Sequence, residues 1–194
     1  PAVASLVELE RALADAVGHQ PFAPGLDDGR IDELLRASGL TLPAEVRAYF
    51  RARDGVRPPS RVQAPWLIGH WLPLPLEEAL RERDARREMA LEEFQAEPDE
   101  VDGVWGTGWL PLFRAGNGYI LAVDCAAPTG AAGQAPLLRM ARVTPAALEL
   151  DSLGALFGFF TRALTTGSWS WDDDRKRWLF DRDRLAGDPL AHVL

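Results

Sequence analysis

Asp172, Asp173 and Asp174 stand side by side near the end of the chain. Consecutive carboxylates could supply oxygen ligands to a hard cation, or meet a basic partner. In an extended segment, however, neighbouring side chains point different ways, and no calcium-loop spacing follows. Arg175, Lys176 and Arg177 neutralise the run locally. A solvated turn is the simpler reading, and no metal is assigned. Asp124 closes an apolar run, Tyr119-Ile120-Leu121-Ala122-Val123; a carboxylate there could cap the following turn through Asx-type bonds or face a cleft. Cys125 is the sole cysteine, which excludes an intrachain disulfide and a cysteine-based zinc site. No histidine lies near it in sequence, so a buried thiol is expected rather than a nucleophile. His19, His70 and His192 are scattered, with no spacing that sets two on one helix face. The chain has no phosphate-binding Gly-x-x-x-x-Gly-Lys loop, no dinucleotide fingerprint among Gly103, Gly106 and Gly108, and no Gly-x-Ser-x-Gly elbow. No catalytic residue and no cofactor is expected.

Seven tryptophans are a richer signal. Trp66, Trp71, Trp105 and Trp109 fall near strand-like runs, and Trp169, Trp171 and Trp178 fall near the C-terminal end. Tryptophan is frequent both in cores and at interface hot spots. Trp169 and Trp171 alternate with period two and share a face, so both are expected to be buried or both presented.

The elements that position these residues centre on Gly108–Asp124. Two apolar runs flank Gly116-Asn117-Gly118, residues that tolerate the positive φ of a tight hairpin. The spacing predicts adjacent antiparallel strands over Trp109–Phe113 and Tyr119–Asp124, with Tyr119, Leu121 and Val123 on one face and Ile120, Ala122 and Asp124 on the other. A strand apolar on both faces belongs inside a sheet. Upstream, Leu6, Leu9, Leu13 and Val17 mark a helix that Gly18 ends. Gln20–Gly25 reads as a loop, and Asp27 or Asp28 caps a short helix carrying Ile31, Leu34 and Leu35 inward. Pro43 fits the first turn of a helix that buries Val46, Tyr49 and Phe50 and breaks at Asp54-Gly55. Arg57–Ser60 is irregular, and Trp66–Leu72 suits a strand. Leu76–Ala96 is charged and helical, and is expected to lie solvated over one sheet edge. Glu97-Pro98-Asp99-Glu100 ends it. Ala126–Gly133 reads as a turn and Pro136–Val143 as a strand. Asp151 or Ser152 opens a helix with Leu153, Leu156, Phe157, Phe160 and Leu164 inward, and a hairpin follows Gly167.

At 194 residues, the chain suits one domain with room for a sizeable core. The order of elements predicts an α+β fold, a single domain over 1–194 with an antiparallel sheet packed against helices. Within it lie an N-terminal helical segment over residues 1–54, an inserted charged helix 76–96, and a C-terminal helix plus hairpin 152–181. The net charge of −8 disfavours nucleic acid and anionic membranes and favours basic partners. The opening Pro-Ala-Val-Ala-Ser lacks signal-peptide character, and no apolar run approaches the roughly 20 residues that span a bilayer. A cytoplasmic location is expected.

The helix with Leu34-Leu35, the Leu40–Phe50 segment closed by Asp54-Gly55, Trp109-Leu110-Pro111-Leu112, the Gly116–Asp124 hairpin, the helix from Ser152 and the acidic-aromatic tail together resemble the SUKH superfamily. That family takes its name partly from fungal cell-wall regulators of the Smi and Knr type. The resemblance runs from about Ile31 to Phe180, with a Pro-rich loop after Asp54-Gly55 and Tyr119 where a polar residue is usual. It implies an α+β domain without catalytic residues. Bacterial members are similar to immunity proteins that bind a cognate toxin, often a nuclease or deaminase; fungal members look like scaffolds. The resemblance carries a possible binding role to Trp109, Gly116 and Asp124, which core shaping would also explain. The leading expectation is an immunity-type protein with a basic toxin partner, and the alternative is an intracellular scaffold without one. Trp169, Trp171, Asp172, Asp173 and Asp174 form the expected partner surface, with charge for steering beside aromatic area for affinity.

Overall fold

The strand Tyr119–Asp124 is apolar on both sides because it lies at the centre of a sheet with a core on each face. The structure is a computed structural model and describes residues 2–56, 70–94, 105–127, 133–141, 144–188 and 190–191. In chain order the elements are α1 (Ala2–Val17), β1 (Phe22–Pro24), α2 (Asp28–Leu35), α3 (Ala44–Ala52), β2 (Arg53–Val56) and β3 (Trp71–Pro73). There follow α4 (Leu76–Phe94), β4 (Trp109–Ala115), β5 (Tyr119–Asp124), β6 (Leu137–Ala141), β7 (Thr144–Leu150), α5 (Leu153–Thr165), β8 (Trp169–Asp172) and β9 (Arg177–Phe180). Strands β3-β4-β5-β6-β7 form an antiparallel meander, and β1-β2 and β8-β9 are two-stranded ribbons. The architecture is α+β, with the antiparallel sheet between helices.

The β4–β5 hairpin has the expected partners, with Trp109 opposite Asp124 and Arg114 opposite Ile120. Its turn uses one left-handed residue, Gly118 at φ 87°, whose N–H donates to the Ala115 carbonyl. Asn117 instead accepts the Tyr119 N–H at 3.2 Å. The result is a three-residue connection rather than the two-residue type.

On one face of the sheet, Leu110, Phe113, Leu121, Val123 and Leu137 meet α1, α3 and α5 in the main core. The Phe113 ring lies 6.4 Å from Tyr49 and from Phe157. Leu153, Leu156, Phe157, Phe159, Phe160 and Ala163 form the buried stripe of α5, opened by the Ser152 cap on Ala155 N–H. On the other face, Ile120, Ala122 and Met140 pack with Trp105 and Ala90 in a smaller core.

That second core corrects the reading of α4, which crosses the sheet's second face rather than one edge. Its inward positions include Leu76, Ala79, Leu80, Arg83, Arg86 and Ala90. Two of them are arginines, and this hid the apolar period. Three strands were also missed. Phe22–Pro24 pairs with Arg53–Val56 in a segment read as a loop and a helix break. Thr144–Leu150 forms β7, with Pro145 opposite Met140. Proline, which lacks an N–H, is tolerated on such an edge strand. Of the Trp66–Leu72 run, only the end coincides with a described strand, Trp71–Pro73. Residues 57–69, 95–104 and 128–132 lie outside the described residues, and with them Trp66, the Arg57–Ser60 connection, the Glu97–Glu100 stop and most of the Ala126–Gly133 turn.

Candidate functional site

Strands β8 and β9 and the turn between them carry most of the residues singled out for partner binding. Gly167, in the left-handed region at φ 72°, turns the chain out of α5. The ribbon then pairs Trp169 with Phe180 and Trp171 with Trp178. Trp169 is 3% exposed and stacks on Phe160 at 5.3 Å, with 29° between the ring planes. Trp178 lies 6.4 Å from Trp169 and 5.4 Å from Trp171. The rings Phe160, Trp169, Trp178 and Trp171 therefore run from the core towards the ribbon's tip. Trp169 and Trp171 do not share one fate, as was expected: the former is core and the latter is half-buried. The ribbon runs past the edge of the core, so one face passes from dry to wet along its length. Leu179 and Phe180 are 39% and 37% exposed, and the Arg182 guanidinium sits 5.8 Å from the Phe180 ring centre.

The aspartates mainly serve their own turn. Asp172 accepts the Arg175 N–H at 3.0 Å and lies 3.6 Å from the Arg175 guanidinium. Asp173 accepts from Lys176 Nζ at 2.7 Å and from Trp171 Nε1 at 3.3 Å. The lysine and then the indole hold its carboxyl below the usual aspartate range. Asp174 is exposed and has no partner among the described residues. The chain completes the turn with Lys176 at φ 50°. Among the described residues, no three His, Cys, Asp or Glu side chains are grouped to hold a metal ion.

Trp109 and Asp124 meet across β4 and β5, and both shape the hairpin's end. Trp109 is half-buried against Trp105, edge-on at 6.1 Å. Asp124 Oδ1 accepts the N–H groups of Ala126 and Ala127 at 2.9 and 3.1 Å, so it caps the turn. Gly108 is required there: a Cβ would stand 2.6 Å from the Ala126 Cβ, and its carbonyl accepts Cys125 N–H at 2.8 Å. Gly116 is exposed in the hairpin turn. Burial first, and the neighbouring Asp124 charge second, push the Cys125 thiol up to about 12. At pH 8 Cys125 is therefore expected to react with iodoacetamide roughly 100-fold more slowly in the folded chain than in the urea-unfolded one. Equal rates would show an accessible thiolate.

Sequence reasoning did not anticipate two surface clefts, each of about 330 Å³. One lies between α2 and the start of α4, where Arg30, Asp54, Glu77 and Arg81 line it. Arg30 bonds Glu33 at 2.7 Å, Arg81 bonds Glu77 at 3.2 Å, and Asp54 accepts the Leu76 N–H at 2.7 Å. The other includes Asp32, Arg36 and Arg47, and Arg47 bridges Asp28 and Asp32, each at 2.8 Å. Arg30, Arg81 and Arg47 are thus each matched to carboxylates.

No protein-family model matches the chain, and no curated protein matches it. Among the described residues, no helix is long and apolar enough to cross a membrane.

Proposed function

We propose that the protein is a non-catalytic, cytoplasmic immunity-type protein of the SUKH kind, which binds a basic toxin domain and blocks it. The observation that carries this reading is the β8–β9 ribbon. It carries half-buried Trp171 and Trp178 and partly exposed Leu179 and Phe180 along the margin of the core, in a chain of net charge −8. Exposed apolar area rimmed by polar residues suits a protein interface better than isolated solvation does. The α+β class with the Gly116–Asp124 hairpin at its centre accords with the resemblance. Within the ribbon, affinity rests on the aromatic and aliphatic side chains. Asp172 and Asp173 stiffen the turn, while steering comes from the acidic surface as a whole.

The test is a search of the neighbouring genes for a toxin-like C-terminal domain, then co-expression of any such domain with this chain, read as growth rescue and by calorimetry on the purified pair. Replacing Leu179 and Phe180 together with alanine is expected to lower the melting temperature only modestly, by roughly 5 °C, because each is more than a third exposed. Partner affinity should fall about 30-fold, as at an interface hot spot. Rescue and affinity unchanged in that variant would move the interface off the ribbon. No rescue by the unaltered chain would overturn the immunity reading and leave the scaffold alternative.

A further inference from the structure

Helix α4 belongs to two cores, and they hold it by different means. Its first turns bury Leu76, Ala79 and Leu80 in the main core, under the Asp54 cap on Leu76 N–H. From Arg83 to Leu91, Ala90 is the one fully buried apolar side chain, with Leu91 half-buried beside it. The attachment there is polar. Arg83 donates from Nε and Nη2 to the Thr107 carbonyl at 3.1 and 2.8 Å, and Arg87 donates to the Trp105 carbonyl at 2.7 Å. Arg86 bonds Glu82 at 2.8 Å, and Arg114 of β4 reaches Glu78 at 3.2 Å and Glu82 at 3.6 Å. Arg83 and Arg86 are only 8% and 9% exposed, so desolvation offsets much of what their bonds contribute. Such clips fix register more than they add stability. The favourable i,i+4 pairs of the helix, Glu77–Arg81 and Glu82–Arg86, both start in its first half. Asp84, Glu88 and Glu92 repeat at i, i+4 and i+8, and no base lies in the last turn. Both arrangements oppose helix formation. Beneath lies an apolar sheet face, Ile120, Ala122 and Met140.

We infer that the second half of α4, from Arg83 onward, is a detachable cover. It leaves the sheet as a unit while its first half, α5 and the main core stay folded, and its departure opens the Ile120–Ala122–Met140 face to solvent. The fold thus carries an apolar surface that is hidden or presented according to the state of one half-helix. The device is separate from the β8–β9 ribbon.

Native-state hydrogen exchange on the full chain tests this. Amides of residues 87–90 are expected to have protection factors at least about 100-fold below those of residues 157–160 in α5, as in sub-global opening. Arg83→Ala should lower the former about tenfold further and leave the latter unchanged. Equal protection in the two helices, or equal loss in the variant, would overturn the proposal. A second measurement uses neighbouring positions on opposite faces of β5, in a Cys125→Ser background. A thiol introduced by Ala122→Cys should be labelled at least about 100-fold faster than one introduced by Val123→Cys. Equal labelling would mean that both open only by global unfolding, which also overturns it.

Discussion

Replacing Glu45 with alanine is expected to lower the stability by about 3 kcal/mol and the melting temperature by roughly 9 °C. Glu45 lies in the first turn of α3 and is 7% exposed. Its Oε1 accepts the Ala135 N–H at 2.9 Å and the Leu153 N–H at 3.3 Å, and the Gly154 N–H also bonds the carboxylate. Three segments are thereby joined: α3, the approach to β6 and the first turn of α5. The N–H groups at a helix start have no partners within the helix, and a carboxylate is the natural group to place there. Alanine would leave the Ala135 and Leu153 N–H groups buried and unpaired, at about 1–3 kcal/mol each. A loss below about 1 kcal/mol in urea unfolding would mean that water enters and takes over the bonds.

The same residue has a pH signature of defined sign. Burial raises the Glu45 carboxyl above the ordinary glutamate range, and the backbone N–H bonds only partly oppose this. The folded chain therefore holds that proton to higher pH than the unfolded chain does. Stability from this group is full below the unfolded-state value and is lost as pH rises through the folded-state value. Glu45→Gln cannot titrate. The stability of the natural protein minus that of the glutamine variant should thus fall as pH rises from the glutamate range, then level off. A difference that rises instead would mean that the hydrogen bonds outweigh burial.

Glu45 also shows where sequence reading stopped. Its helix was legible from Val46, Tyr49 and Phe50, all fully buried, but nothing local says that a glutamate two residues after Pro43 will meet Leu153. Contacts across 108 positions in the chain leave no periodic trace. The β4–β5 hairpin was legible because turn chemistry and alternation are local, and two apolar faces on one strand force a central place in the sheet. Helix α4 was found but misplaced, since Arg83 and Arg86 occupy inward positions and satisfy themselves on carbonyls and carboxylates that only the fold brings near. Strand β7 was missed because Pro145 and its alanines argue against a strand unless the strand is known to lie at an edge. At the ribbon, period two correctly placed Trp169 and Trp171 on one face. It could not say where along that face the core ends.

Trp169→Ala should separate core from interface at that boundary, with a loss of about 4 kcal/mol, in the range for truncating a large buried aromatic. Trp169 is 3% exposed and stacked on Phe160 at 5.3 Å, so alanine opens a cavity against α5 that the flanking rings cannot fill without leaving their own contacts. Trp171→Ala should cost about 1 kcal/mol. That ring is half-buried, and it gives up an edge-on contact with Trp178 at 5.4 Å and an indole bond to Asp173 that water can replace. For binding, the order reverses. Partner affinity per folded molecule should be unchanged by Trp169→Ala and weakened by Trp171→Ala, because only the outer ring can touch another protein. Both quantities come from the same preparations, with urea unfolding for stability and calorimetry corrected for the folded fraction for affinity. If Trp169→Ala weakens binding as much as Trp171→Ala at equal folded fraction, the rings act as one rigid unit and the ribbon's geometry, not its outer surface, is what the partner recognises.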